Sequence, residues 1–257
     1  MHDAAASLGL DLSPPQLEKL DSLRRLLQEG AVRTNLTSIL ETSEIELKHI
    51  VDSLAVAMHG WSPLSGAPPR NVLDLGSGAG FPALPLAIVF PEVRVTAIER
   101  SWKKAEFISL TAMQLGLEVV VVAKQVETEA RLPVLRERFD LVLARAVAYL
   151  PTLAEYCLPC TRVGGRFVAM KSESLQEEID DGLYAIERLG GRLLEPIPYE
   201  IPGVAGTRWL LVVEKAAPTP EEFPREPGEP SRRPLTGPGV KIAKPERKRR
   251  RLSNSLD

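Results

Sequence analysis

An acid, three glycines and a second acid lie close together in the first half of the chain. The stretch Asn71-Val72-Leu73-Asp74-Leu75-Gly76-Ser77-Gly78-Ala79-Gly80-Phe81-Pro82 reads as a buried strand, a glycine turn and the start of a helix. Val72, Leu73 and Leu75 form the short apolar run expected of a central parallel strand covered on both faces. Glycine has no Cβ, so the turn at Gly76, Gly78 and Gly80 brings backbone against a ligand. Pro82 suits a first helical position, and Leu84, Leu86, Ala87, Ile88 and Phe90 carry the helix on. On doubly wound sheets a strand–turn–helix unit of this kind binds a nucleotide cofactor. The spacing departs from G-x-G-x-x-G, because Phe81 holds the sixth position. Asp74, two residues before the first glycine, would repel a pyrophosphate and attract the amino group or sulfonium of S-adenosylmethionine (SAM). Glu99 ends the next apolar run, Val93 to Ile98, where an acid takes ribose hydroxyls. Together these residues favour SAM over NAD or a purely structural turn.

The elements that must hold them follow from periodicity. Ser13-Pro14-Pro15 caps a helix carrying Leu17, Leu20, Leu23, Leu26 and Leu27, with Gly30 as its expected end. A second helix starts at Thr42 or Ser43, with Ile45, Leu47, Ile50, Leu54 and Val56 as its apolar stripe. Both precede the cofactor motif, and substrate-facing cap and plain core cover stay open as readings. His49 and Asp52 share a face of the second helix. Fastening that helix to the sheet is the preferred role, since no nucleophile pattern accompanies the histidine. A helix from Ser101 to Gly116, strands at Val119 to Ala123, Phe139 to Ala144 and Arg166 to Met170, a helix from Leu175 to Leu189, and an antiparallel pair at Arg192 to Glu195 and Trp209 to Lys215 complete the domain.

The fourth strand ends in Arg145-Ala146-Val147-Ala148, at the carboxyl edge where ligands of such sheets bind. That edge carries no Asp/Asn-Pro-Pro-aromatic element and no cysteine nucleophile. Arg145 is donor-only and cationic. An acceptor atom that already has a free lone pair needs no base, and guanine N7 is such an atom. Cys157 and Cys160 have C-x-x-C spacing, but without a second cysteine pair or a nearby histidine two structural thiols are expected.

At 257 residues and 44% apolar composition the chain has the material for one sizeable core. No run of apolar residues is long enough to span a membrane and no secretory signal is evident, so a cytoplasmic protein is expected. The net charge of −2 conceals seven cations, Lys241, Lys244, Arg247, Lys248, Arg249, Arg250 and Arg251, in one short stretch. Any nucleic acid must therefore meet local basic patches.

These pieces resemble the RsmG (GidB) family of bacterial 16S rRNA guanine-N7 methyltransferases over roughly Leu12 to Leu235. The matching segments are Asn35-Leu36-Thr37-Ser38, Lys48-His49-Ile50-Val51-Asp52-Ser53, Asp74 to Pro82, Leu141 to Val147, Ala169-Met170-Lys171, and Pro224-Arg225 to Pro234-Leu235. The resemblance implies an α/β, Rossmann-like class I SAM-dependent methyltransferase fold, with a mostly parallel seven-stranded sheet and an N-terminal helical extension. It implies methylation of a guanine N7 in the 530 loop of 16S rRNA, free or in the small ribosomal subunit. It also implies cofactor contacts at Gly76, Phe81, Glu99, Arg100, Ser101, Val126, Glu127 and Arg145, which join Asp74 and Gly78. Arg145 is the candidate catalytic residue, and Arg33, Lys171, Arg208, Arg232 and Arg233 are the candidate RNA contacts. The family's usual Trp-Asn is replaced by Gly30-Ala31, and the basic extension after Gly239 is not a general family feature.

The expected organisation is a helical cap over 1–66, the methyltransferase domain over 67–216, an extended tail packed on the surface over 217–238, and a disordered basic tail over 239–257. A monomer without metal is expected. The competing readings are a SAM-dependent enzyme acting on another RNA or a small molecule, an NAD oxidoreductase, and a non-catalytic RNA-binding protein. Phe81 and Asp74 disfavour the oxidoreductase, and the binding protein would leave Asp74 and Glu99 idle.

Overall fold

In the computed structural model the apolar runs pair into one sheet; residues 1–61, 67–172 and 175–237 are described, without the side chain of Arg33. Strands β1 (Asn71–Leu75), β2 (Arg94–Ile98), β3 (Val119–Val122), β4 (Phe139–Arg145) and β5 (Thr161–Lys171) lie parallel, in the order 3-2-1-4-5. β8 (Arg208–Lys215) runs antiparallel beside β5. The free side of β8 pairs with β6 (Gly191–Leu193) near Val213–Lys215 and with β7 (Ile197–Tyr199) near Arg208–Leu210. Among the described residues the sheet thus has eight strands, the seven expected and the short β7. Its central Pro198 reads as turn sequence, but proline is tolerated where a strand pairs on one side only.

Period-two alternation sends neighbouring residues to opposite faces. Val72, Leu141, Leu143 and Val168 pack with Leu20, Leu23 and Leu27 of helix α2 (Pro14–Arg33), with α5 (Ala83–Val89) and with Ile108 of α6 (Trp102–Leu115). Leu73, Leu75, Val142 and Ala144 pack on the other face, against α8 (Leu150–Cys157) and α9 (Gln176–Arg188). Each fully buried leucine contributes about 1.5–3 kcal/mol. The N-terminal extension therefore shares a core with the sheet. Among the described residues no helix is long and apolar enough to cross a membrane.

Two local departures matter. Helix α2 does not stop at Gly30 but runs on to Arg33. A Cβ on Gly30 would lie 2.8 Å from both Leu36 Cδ1 and Phe107 Cε2, so this glycine lets α2 approach α6 closely. The second helical stretch, 42–57, begins and continues as expected but is not uniform. Between α3 (Thr42–Ile45) and α4 (Asp52–Leu54) the chain winds as a π-helix over Glu46–Val51, and a 3₁₀ turn, Ala55–Ala57, closes it. Helix α1 (His2–Ser7) precedes α2, and two short helices, α7 (Val126–Glu129) and α10 (Glu229–Arg232), lie at the carboxyl side of the sheet. The tail after β8 is accordingly not wholly extended. Cys157 and Cys160 are fully buried, and burial pushes both thiols up.

Candidate active site

Asp74 and Glu99 end up at the tips of adjacent strands because β1 and β2 pair in parallel register, with Asp74 beside Ala97 and Leu75 beside Ile98. The glycine turn bridges them. Gly76, Gly78 and Gly80 have φ of 73°, 59° and 92°, left-handed values that side chains rarely adopt. Glu99 fixes this turn: Oε2 accepts from Gly78 N at 3.0 Å and Oε1 from Ser101 N at 2.8 Å. Each carboxylate oxygen keeps a second lone pair for a further donor.

Asp74 is 1% exposed. Its Oδ2 accepts from Ala83 N at 3.0 Å, at the entry to α5, while Oδ1 is buried with no hydrogen-bond partner among the described residues, the nearby Ser77 hydroxyl donating to the Asp74 carbonyl instead. Burial, partly offset by the Ala83 N–H and the Ser77 hydroxyl, pushes the carboxyl up to about 6. An orphaned acid oxygen at the foot of a glycine cradle is a place prepared for a donor, and a cationic one would restore the charge.

From Gly76 and Glu99 a cleft of about 550 Å³ runs past Arg100 to Val126, Glu127 and Tyr156. That size suits a nucleoside-bearing ligand. Val126 and Glu127 are buried, Arg100 is exposed at the rim, and Ser101 holds the N-cap position of α6 without a side-chain capping bond. Thus Gly76, Glu99, Arg100, Val126 and Glu127 line one space, and Asp74, Gly78 and Ser101 brace its wall.

Arg145 and Phe81, also expected at the cofactor, do not line this cleft; they pack against each other, with Arg145 one residue before Ala146 of its lining. Phe81 is buried, with His49 stacked on it at 5.1 Å between ring centroids and the Arg145 guanidinium 5.8 Å from its centre. Arg145 Nη1 donates to Asp52 Oδ2 at 3.1 Å and to the carbonyls of Lys48 and His49 at 3.2 and 3.4 Å. The π-helical turn is therefore capped from within by the end of β4. Asp52 Oδ1 accepts from Tyr199 Oη at 2.8 Å and from Arg208 Nε at 2.9 Å. His49 Nε2 lies 2.9 Å from Thr37 Oγ1. Burial first, and Arg145 second, hold this imidazole down at about 4, so it is neutral near pH 7. His49 and Asp52 do fasten the N-terminal helices to the sheet, through Arg145, Tyr199 and Arg208.

The candidate RNA contacts divide. Arg232 and Arg233 are exposed. Arg208 is turned inward onto Asp52, and Lys171 Nζ is spent on Ala148 O and Glu178 Oε1. The side chain of Arg33 lies outside the described residues, as does the basic stretch Lys241 to Arg251. Sequence reasoning did not single out Thr37 or Tyr199, or Ala146, whose φ of 55° is strained for a non-glycine residue beside the cleft. Thr37 and Ala146 fall within segments that match the family, but nothing in the sequence gives them a role of their own, and Tyr199 acts through Asp52, 147 residues away.

Comparison with known proteins agrees with this geometry. The family model described as rRNA small subunit methyltransferase G (GidB) matches residues 16–194. The protein named ribosomal RNA small subunit methyltransferase G in Roseiflexus castenholzii is 44% identical over 232 residues, covering 90% of this chain and 97% of its own. The protein of that name in Deinococcus radiodurans is 45% identical over 232 residues, 90% of each chain. That in Bacillus cytotoxicus is 40% identical over 228 residues, 88% of this chain and 94% of its own. With the parallel sheet, the acid-flanked glycine turn and the matching length all in place, the chain belongs to the GidB family of rRNA small subunit methyltransferases.

Proposed function

We propose that this chain transfers a methyl group from SAM to N7 of a guanine in the 530 loop of 16S rRNA. The observation that carries the reading is the buried, unpartnered Oδ1 of Asp74 beside the glycine turn. A cationic ligand head supplies the missing donor there, and a pyrophosphate does not. Asp74 and the turn at Gly76 and Gly78 would hold the amino acid end, Glu99 the ribose, and Val126 with Glu127 the base. When bound, SAM supplies an electrophilic methyl carbon on a positively charged sulfur.

The rest falls to the chain's own residues. Guanine N7 carries a lone pair in the plane of the ring, and together with O6 it accepts hydrogen bonds from arginine. Arg145 is held rigidly by Asp52 and two carbonyls at the end of β4, the carboxyl edge where ligands of such sheets bind. Its role is orientation of the base, with alignment supplying the acceleration. His49, held down at about 4, would be a weak base, and methylation of a lone pair on N7 has no proton for it to remove. The name shared by the relatives supports ribosomal RNA as acceptor.

The test offers rRNA from a strain lacking the methyltransferase, free and as 30S particles, with labelled SAM, and maps the modified base. Label on N7 of one 530-loop guanine is expected. Transfer to a different atom or loop, or none to either substrate, would refute the assignment.

A further inference from the structure

The chain after β8 does not leave the molecule. Arg136 Nη1 donates to Phe223 O at 2.8 Å, and Nη2 to Thr219 O at 2.8 Å and Pro220 O at 3.1 Å. Glu137 Oε1 accepts from Thr219 N at 2.7 Å. Arg225 then clasps Glu155 of α8, which is fully buried: Nε donates to Oε1 at 2.9 Å and Nη2 to Oε2 at 2.6 Å, with the Arg225 backbone N adding 2.8 Å to Oε1. Thr152 Oγ1 donates to Pro230 O at 3.0 Å. Phe223 and Pro230 are buried. Residues 218–235 are therefore a strap riveted at both ends, and its course is set by charge-assisted bonds, the strong kind.

What the strap covers is the far end of the cleft. Gly228 and Ser231 line it together with Val126, Glu127 and Tyr156. Gly228 N donates to Glu127 Oε1 at 3.0 Å, and the left-handed φ of 78° at Gly228 aims that N–H inward. The Tyr156 hydroxyl faces both Glu127 and Ser231, and burial with the Glu127 charge pushes it up to about 12. This end thus offers a carboxylate, two hydroxyls and an apolar wall at Val126, the chemistry that fits the exocyclic amine and flat faces of a purine base.

We propose that the strap is a wall of the cofactor pocket, with Gly228 and Ser231 contacting the nucleobase end of the methyl donor. The inference rests on the SAM reading above and assigns residues of the C-terminal segment to that site. Ser231 is itself exposed, so a large side chain there projects into the cleft without disturbing the rivets.

The test uses full-length protein. Calorimetry with SAM and S-adenosylhomocysteine compares wild type, Ser231→Trp and, as a control on the outer side of the strap, Glu221→Trp. Ser231→Trp should weaken both ligands by about tenfold or more, with Glu221→Trp unchanged. A second measurement does not depend on any variant folding. Arg232 and Arg233 are exposed, but trypsin needs an extended segment, so cleaving between them requires α10 to unwind from the cleft, and saturating S-adenosylhomocysteine should slow it by about tenfold or more in wild type. Wild-type affinity in a folded Ser231→Trp, or wild-type cleavage indifferent to ligand, would overturn the inference while leaving the SAM reading intact. A wild-type chain that bound neither ligand would remove the SAM reading, and this inference with it.

Discussion

At the scale of single residues, Asp74 carries a cost that the proposed cationic ligand would offset. Burial raises its folded value from 3.8 to about 6, which corresponds to about 3 kcal/mol at about 1.36 kcal/mol per pH unit. The folded chain binds this proton more tightly than the unfolded chain, so stability falls as pH rises from about 4 to about 6 and the penalty is complete above that. His49 works the other way, because its folded value is lowered to about 4, and only a difference between variants isolates Asp74. Without cofactor, Asp74→Asn should gain on wild type by up to about 3 kcal/mol between pH 4 and 7.5. A pH-independent difference in denaturation free energy would contradict the burial argument. SAM affinity of the wild type should also fall below about pH 6, where the protonated acid no longer attracts a cation. Neutral adenosine should not share that slope, and equal slopes would show that charge is not what Asp74 contributes. Much of this was legible in the sequence, because acid, glycines and second acid are all within thirty positions and local pairing of β1 with β2 brings them together. The missing partner of Oδ1 was not legible, since it depends on what packs over the strand.

At the scale of elements, the least legible part is the join between 42–57 and the end of β4. Hydrophobic spacing correctly gives a helix there, but it cannot give a π-helical turn. That turn is sustained by the Arg145 guanidinium reaching the Lys48 carbonyl, 97 residues away in sequence. Likewise β7 hides behind Pro198, and Tyr199 looks like an ordinary strand aromatic until its hydroxyl meets Asp52. The placement makes Asp52 the residue through which three elements hold Arg145. Asp52→Ala would leave Arg145 and Arg208 without their shared buried counter-charge, a loss of about 3–5 kcal/mol. Asp52→Asn keeps the shape and should cost about 1.5–3 kcal/mol, the worth of a hydrogen bond to a charged group. In the folded Asn variant, single-turnover methylation should slow while RNA affinity changes little. Arg145→Ala should do the same, and Arg145→Lys should not rescue it, because an ammonium cannot span two carbonyls and a carboxylate in the guanidinium's planar geometry. A normal single-turnover rate in either folded variant would take Arg145 out of the chemistry and leave it a fastener of the N-terminal helices.

At the scale of the whole molecule, charge is distributed by task. The inward-facing cations Lys171, Arg208 and Arg225 are each matched by a buried or half-buried carboxylate, which holds the fold closed around the site. Sequence reading placed the first two on the RNA, because a basic residue near the ligand edge looks the same whether it faces water or a carboxylate. Arg232 and Arg233 stay exposed on the strap, directly upstream of Lys241 to Arg251. Those seven further cations lie outside the described residues, so their part is argued from charge alone. Cations on a segment with few apolar residues bind a polyanion by releasing its counterions, without reading bases. Deletion after Pro238 should therefore leave the thermal midpoint and SAM affinity unchanged, since Asp74, Glu99 and Glu127 all lie upstream. It should weaken RNA binding and flatten the dependence of log affinity on log salt, by up to about 0.7 per cation lost on single-stranded contacts. The modified guanine should stay the same, because the pocket chooses it and the tail adds only attraction. Binding measured across a salt series for both chains, with the product mapped in each, decides the matter. Identical slopes would leave the basic segment without a part in RNA binding, and a shifted site would mean that it takes part in recognition.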